Sequence, residues 1–133
     1  MKINDPAVLA EVSAAFRLYE QALVANDVAA LDGLFWQSGD VVRFGGAENL
    51  YGIEAIRAFR KARPAAGLAR DLEGVRIASF GQDLAVASTL FRRPGAPGKI
   101  GRQQQTWARI EGRWVVVAAH VSVIDEPGLQ LAR

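Results

Sequence analysis

A small set of polar side chains interrupts the apolar segments of this sequence, and their chemistry suits the binding of an anion. Tyr19 lies on the apolar stripe of a predicted helix, and Arg43 lies within a short apolar run of a predicted strand. A guanidinium group donates two parallel hydrogen bonds to a carboxylate, and a phenol contributes one hydrogen bond and a proton. The sequence therefore predicts a cavity for a small carboxylate-bearing molecule. The polar residues of this set are Tyr19, Arg43, Gln103, Gln105, His120 and Ser122.

The strongest candidates also have purely structural interpretations. Tyr19 would be a core tyrosine whose hydroxyl reaches a backbone carbonyl, and His120 would be a hydrogen-bonded core histidine. Arg43 would need a partner, because a single charge inside a covered strand is costly. The two glutamines either line the cavity with amides or face water. The carboxylates available to Arg43 are Asp40, Glu48 and Glu54.

The supply of nucleophiles and metal ligands limits the chemistry. The sequence contains no cysteine and a single histidine, which excludes a disulfide scaffold, a thiolate nucleophile and a centre built from several imidazoles. We therefore expect neither a metal nor a cofactor. None of the 14 acidic residues lies in the middle of an apolar strand, where burial would favour a carboxylate base. Glu20 and Asp32, for example, are predicted on helices where they can face solvent.

Length and charge give the broad class of the chain. The 133 residues predict a single domain over 1–133, with a core over about 5–125 and a C-terminal tail over 126–133. The net charge is +2 and the basic residues are dispersed, so we expect no nucleic-acid binding. We find no basic leader followed by an apolar run and no stretch of about 18 apolar residues. A cytoplasmic location without membrane insertion is therefore expected.

The hydrophobic periodicity predicts an α+β fold with the element order α-α-β-α-β-β-β-β. Apolar residues at intervals of three and four predict a first helix from about residue 6 to 25, and shorter helices follow over 27–36 and 53–63. A short strand over 41–44 separates the second and third helices. Four further strands are predicted to be antiparallel because the links between them are short. These strands cover residues 72–80, 84–93, 99–110 and 113–124.

One face of the last strand is wholly apolar. Strict alternation groups His120 and Ser122 with Trp114, Val116, Ala118 and Ile124 on the other face. The apolar face must be covered, either by forming the floor of the cavity or by a second subunit. We therefore hypothesise a homodimer formed through a sheet face. The apolar face consists of Val115, Val117, Ala119, Val121 and Val123.

This order of elements resembles the nuclear transport factor 2-like superfamily, which includes the SnoaL-like polyketide cyclases and ketosteroid isomerase. The resemblance covers nearly the whole chain. It implies a cone in which three N-terminal helices pack on a curved, mostly antiparallel sheet and leave a pocket between them. A generic isomerase or dehydratase of this superfamily is disfavoured, because the buried base carboxylate that such enzymes use is missing from the predicted strands.

Several short motifs make the resemblance more specific. The sequence is similar to the AtzH-like family, which also includes the oxalurate-catabolism protein HpxZ. These small proteins accompany amidases in clusters for cyanuric acid, oxalurate and related ureido compounds. Gln104 stands where the family usually has serine. The motifs are Leu34-Phe35-Trp36, Val42-Arg43-Phe44-Gly45, Gly101-Arg102-Gln103-Gln104-Gln105-Thr106-Trp107, Gly112-Arg113-Trp114 and Ala118-Ala119-His120-Val121-Ser122.

The resemblance implies a metal-independent decarboxylating hydrolase that converts 1,3-dicarboxyurea to urea-1-carboxylate. By motif, Arg43 would orient the N-carboxylate, and Tyr19 would protonate the nitrogen as carbon dioxide leaves. His120 is an alternative proton donor, and the sequence does not rank the two. The residues expected to contact the substrate are Gln103, Gln105, Ser122, Trp36 and Trp107.

A second interpretation is a non-catalytic accessory subunit in the same type of pathway. Such a subunit would bind or stabilise a partner amidase through the apolar sheet face or through the arginine-rich third helix. Copurification with an amidase, together with an absence of turnover, would distinguish this interpretation from the enzyme.

Overall fold

A computed structural model describes residues 1–126, which form helices on one side of a single mixed sheet. The α+β architecture predicted from the sequence is confirmed. The structure adds one strand, and residues 127–133 of the predicted tail lie outside the described residues. The elements are α1 (Pro6–Val24), α2 (Val28–Gly33), β1 (Val42–Phe44), β2 (Asn49–Tyr51), α3 (Ile53–Ala62), β3 (Asp71–Phe80), β4 (Leu84–Arg92), β5 (Lys99–Ile110) and β6 (Arg113–Asp125).

Helix α1 begins where the sequence places a cap. The Asp5 side chain accepts a hydrogen bond from the Ala7 N–H at 3.0 Å, and Pro6 occupies the first helical position, where no N–H is needed. The predicted apolar stripe is buried against the sheet and includes Tyr19. No helix within residues 1–126 is long and apolar enough to cross a membrane.

The six strands lie in the order β2-β1-β6-β5-β4-β3. All neighbours are antiparallel except β1 and β6, which are parallel. The sequence did not predict strand β2, because a strand of three residues is too short to show a clear alternation of polar and apolar side chains. It folds back onto β1 in a hairpin that pairs Arg43 with Leu50.

An irregularity in β6 reverses the alternation of its side chains. Trp107 of β5 pairs with Val116, whereas the preceding Thr106 pairs with Ala118, so Val117 is an extra residue in β6. The predicted grouping of Val116 with His120 on one face is therefore wrong. Val116 is buried on the helix side, and His120 lies on the outer face of the sheet. The wholly apolar face predicted for this strand is likewise divided between the two sides.

Candidate functional site

A row of four side chains crosses the helix side of the sheet and brings Arg43 near Gln105. Strand pairing aligns Ala87 of β4, Gln105 of β5, Ala119 of β6 and Arg43 of β1. Neighbouring strands lie about 4.8 Å apart, so the backbones of Arg43 and Gln105 are separated by about 10 Å. The small side chain of Ala119 lies between them. All four side chains are buried.

Arg43 is held in this row by a carboxylate and an aromatic ring. Its Nη1 donates to Glu48 Oε1 at 2.9 Å, and its guanidinium carbon lies 5.2 Å from the centroid of the Phe59 ring. Glu48 was one of the three partners expected from the sequence. Gly45 makes the pair sterically feasible, because a Cβ at that position would lie 1.8 Å from Glu48 Oε1. Glu48, between β1 and β2, therefore holds the guanidinium group of Arg43 in the interior.

Tyr19 enters the same interior from α1. It is 4% exposed, and its ring lies 6.2 Å from that of Phe35. Arg60 of α3 stacks over Phe35 at 4.3 Å and donates to Asp32 Oδ1 at 2.8 Å. The structure therefore places the predicted tyrosine on the same side of the sheet as Arg43.

A second arginine, Arg70, is fixed beside the row by Glu20. Its Nε donates to Glu20 Oε2 at 3.1 Å, and its Nη2 bonds Glu20 Oε1 as well as Gln103 Oε1. The guanidinium carbon also lies 4.4 Å from the Phe91 ring centroid. The sequence prediction that Glu20 and Asp32 face solvent is wrong, because each is mostly buried as the partner of an arginine. Neither carboxylate is free to act as an unpaired base.

Two further arginines, missed by the sequence analysis, have buried guanidinium nitrogens without partners. Within residues 1–126, Arg63 Nε and Nη2 and Arg93 Nε are buried and make no hydrogen bond. Burial lowers the pKa of Arg63, Tyr19 partly offsets this, and the charges of Arg43, Arg60 and Arg93 lower it further. Burial also lowers the pKa of Arg93, helped by the charge of Arg70. Both side chains stay protonated, so their charges are poorly compensated.

The arginines and their partners leave the interior with excess positive charge. Of the five arginines described above, three are paired with carboxylates. Arg63 and Arg93 form no ion pair with a described residue. Two positive charges of this interior are thus unpaired within residues 1–126. The five arginines are Arg43, Arg60, Arg63, Arg70 and Arg93, and the three carboxylates are Glu20, Asp32 and Glu48.

The predicted substrate-binding residues on the helix side orient one another. Trp107 is fully buried, and its Nε1 donates to Gln105 Oε1 at 3.2 Å. This bond uses the amide oxygen, while the Gln105 Nε2 is buried with no partner among residues 1–126. Gln103 is engaged by Arg70, and Trp36 packs partly buried against the core. Gln105 is therefore the glutamine with a free donor.

His120 and Ser122 lie on the opposite face of the sheet from Tyr19 and Arg43. His120 is exposed and contacts Phe44 edge-on at 6.2 Å between ring centroids, and Ser122 Oγ accepts from Arg102 Nε at 3.1 Å. The expectation of one cavity that includes His120 and Ser122 is wrong. The physical reason is the extra residue Val117, which turns the two side chains outward.

The outer face of the sheet carries its own shallow depression. A cavity of about 430 Å³ is lined there by polar and charged side chains of the central strands. The lining of this cavity includes Arg76, Ser88, Arg102, Gln104, His120 and Ser122.

The homodimer predicted through a sheet face stays a prediction.

The described residues hold no obvious metal centre. Within residues 1–126, no group of three or more histidine, aspartate or glutamate side chains is placed to bind a metal ion. The charged groups of the interior are instead dominated by guanidinium, which suits an organic anion.

Comparisons with known proteins agree with this architecture. The model of the AtzH-like family matches residues 1–127. The chain belongs to the AtzH-like family. A protein of unknown function from Pectobacterium atrosepticum is 57% identical over 92% of this chain and 95% of its own, with a TM-score of 0.90. Comparison with curated proteins gives no significant match.

Two further solved structures share the fold of this AtzH-like chain at lower sequence identity. A cystatin-like fold protein from Burkholderia xenovorans is 45% identical over 96% of this chain and 99% of its own, with a TM-score of 0.91. An NTF2-like protein of unknown function from Pseudomonas putida is 21% identical over 89% of this chain and 87% of its own, with a TM-score of 0.76. The similarity to the Pseudomonas putida protein concerns the fold alone, and it agrees with the predicted nuclear transport factor 2-like superfamily.

Proposed function

We propose that this AtzH-like protein decarboxylates a small N-carboxylated urea. The reaction would be of the type that converts 1,3-dicarboxyurea to urea-1-carboxylate. In this reaction the bond between the carboxylate carbon and the urea nitrogen breaks, and its electron pair stays on nitrogen. A proton added to that nitrogen completes the product. Carbon dioxide leaves and is hydrated to bicarbonate, so one water is consumed overall.

The observation that carries the proposal is the excess of positive charge beside a buried phenol. Arg63 and Arg93 have no carboxylate partner among residues 1–126, and the charges of Tyr19 and Arg43 both act on the pKa of Arg63. A dianion such as 1,3-dicarboxyurea would neutralise both charges. Guanidinium groups bind carboxylates bidentately, so they also fix the orientation of the leaving carboxylate.

Tyr19 is the proton donor that the geometry favours. Of the two donors considered from the sequence, Tyr19 shares the helix side of the sheet with Arg43, and His120 does not. Water would return the proton to Tyr19 after the product leaves.

The proposal is tested by following freshly generated ¹³C-labelled 1,3-dicarboxyurea by NMR. The wild-type protein should accelerate bicarbonate formation above the rate in buffer, and Arg43→Ala should abolish the acceleration. Arg57→Ala is the matched control, because Arg57 is exposed and pairs with Glu54 on the surface of α3. A wild-type rate equal to the buffer rate contradicts the proposal. Copurification with an amidase would then favour the accessory subunit.

A further inference from the structure

Arg63 presents one complete edge of its guanidinium group without a partner. The residue follows α3, and both Nε and Nη2 are buried with no hydrogen bond to any residue of 1–126. These two N–H groups lie side by side and point in the same direction. A buried charged donor without an acceptor costs free energy in the folded protein. The edge is therefore suited to an acceptor that residues 1–126 do not supply.

Arg70 shows what this edge binds within the same interior. Its Nε and Nη2 each bond one oxygen of the Glu20 carboxylate, in the side-by-side arrangement of a bidentate pair. The atoms left free on Arg63 are the same two atoms. Arg93 differs, because only its Nε is both buried and without a partner, and its guanidinium carbon lies 4.9 Å from the Phe91 ring centroid. Arg63 is thus an arginine whose buried carboxylate-binding edge is vacant among the described residues.

We propose that Nε and Nη2 of Arg63 bind one carboxylate of the substrate, while Arg43 holds the other, and that this second contact selects dianions over monoanions. The inference rests on the proposed function for the identity of the substrate. The charges of Tyr19 and Arg43 both act on the pKa of Arg63. A monoanion can make only one of these two contacts. Arg63 is in this way a specificity-determining residue.

The neighbours of Arg63 explain why a dianion would gain most from this contact. The charges of Arg43, Arg60 and Arg93 act on Arg63, and burial weakens the screening by water. Each added negative charge relieves repulsion among these cations. Lysine at this position would keep the charge but lose the planar edge that binds two oxygens.

The test measures binding of malonate and acetate by isothermal titration calorimetry. The wild type should prefer malonate, and Arg63→Gln should weaken malonate binding on the order of 10- to 100-fold, as expected for a lost charged hydrogen-bond pair. Acetate binding should change less, so the preference for the dianion collapses. Arg63→Lys should lie between the two. Arg57→Gln, on the exposed face of α3, should bind both anions like the wild type.

Binding is measured without turnover, so the inference and the proposed reaction can fail separately. Loss of the malonate preference in Arg63→Gln supports the contact even if the wild type decarboxylates nothing. Equal malonate affinity in the wild type and Arg63→Gln overturns the contact even if decarboxylation is observed. Failure of the wild type to bind malonate also overturns it. Circular dichroism checks that the variants fold, and Arg63→Lys decides the question if Arg63→Gln does not.

Discussion

Arg43 and His120 lie on adjacent strands, one residue out of register, and their side chains point to opposite faces of the sheet. Arg43 pairs with Ala119 across the parallel β1 and β6 ladder, and His120 is the next residue. Successive side chains of a strand alternate between faces, so the sheet itself separates the imidazole from the guanidinium. This relationship divides the residues predicted for one cavity into two groups.

His120→Ala should therefore leave anion binding on the helix side unchanged. We expect malonate affinity within about twofold of the wild type, because exposed substitutions far from a site have small effects. Calorimetry on the two proteins measures this directly. A loss of malonate affinity comparable to that of Arg43→Ala would show that the imidazole contributes to the same site.

Tyr19→Phe should separate proton transfer from binding. The phenyl ring keeps the packing against Phe35, and only the hydroxyl is removed. If Tyr19 is the general acid, the rate of 1,3-dicarboxyurea decarboxylation should fall by about 100-fold or more. Malonate affinity should change only a few-fold. An unchanged decarboxylation rate would assign the proton to another donor.

Glu48→Gln should have opposite effects on stability and on anion binding. The substitution keeps the size of the side chain but removes the negative charge opposite Arg43 Nη1. The free energy of unfolding without ligand should fall by roughly 1–3 kcal/mol, because a mostly buried cation loses its partner. Malonate should bind several-fold tighter, since Arg43 then has no internal carboxylate.

Urea unfolding with and without malonate measures both effects of Glu48→Gln. Glu54→Gln is the control, because Glu54 is exposed and pairs with Arg57 away from the interior. Weaker malonate binding in Glu48→Gln would indicate that Glu48 serves to position Arg43 for the ligand rather than to neutralise it.

The helices and the long strands were predictable from the sequence because their periodic patterns are local. The four C-terminal strands were predicted within about one residue at each end. The extra residue Val117 was not predictable, because Val115, Val116 and Val117 are alike and no polar residue marks the change of face. Only the pairing with Trp107 shows it.

The residues of the site also divide into those that the sequence predicts and those that it does not. Tyr19 and Arg43 were recognised because each interrupts an apolar pattern. Arg63 and Arg93 follow the ends of α3 and β4, where a basic residue is usually solvated, and only the tertiary fold turns them inward. Whether their guanidinium groups have a partner depends on residues from several elements, so the local sequence does not show it.

Asp5 should make the stability of the protein depend on acid pH. Hydrogen bonds from the Gln82 side chain and from the Ala7 N–H hold the pKa of Asp5 below its usual value of 3.8. The ionised form therefore stabilises the folded state above pH 3.8, and this contribution is lost as the pH falls through the lower folded-state pKa. Asp5→Asn keeps the cap but removes the charge. Urea unfolding should show a lower stability for Asp5→Asn at pH 7, and a difference that shrinks as the pH falls below 3.8.

Gly101→Ala should damage both the fold and the anion site, because the ring that supports two arginines lies against this glycine. A Cβ on Gly101 would come within 2.1 Å of the Phe91 ring, on which Arg70 and Arg93 stack. Displacing the ring should cost about 1–3 kcal/mol of unfolding free energy and weaken malonate binding. Gly33→Ala is the matched control, because a Cβ there meets no atom within 4 Å. If Gly101→Ala lowers stability but leaves malonate affinity intact, then the position of Arg93 does not matter for the ligand, and of the two unpaired charges only that of Arg63 contributes to binding.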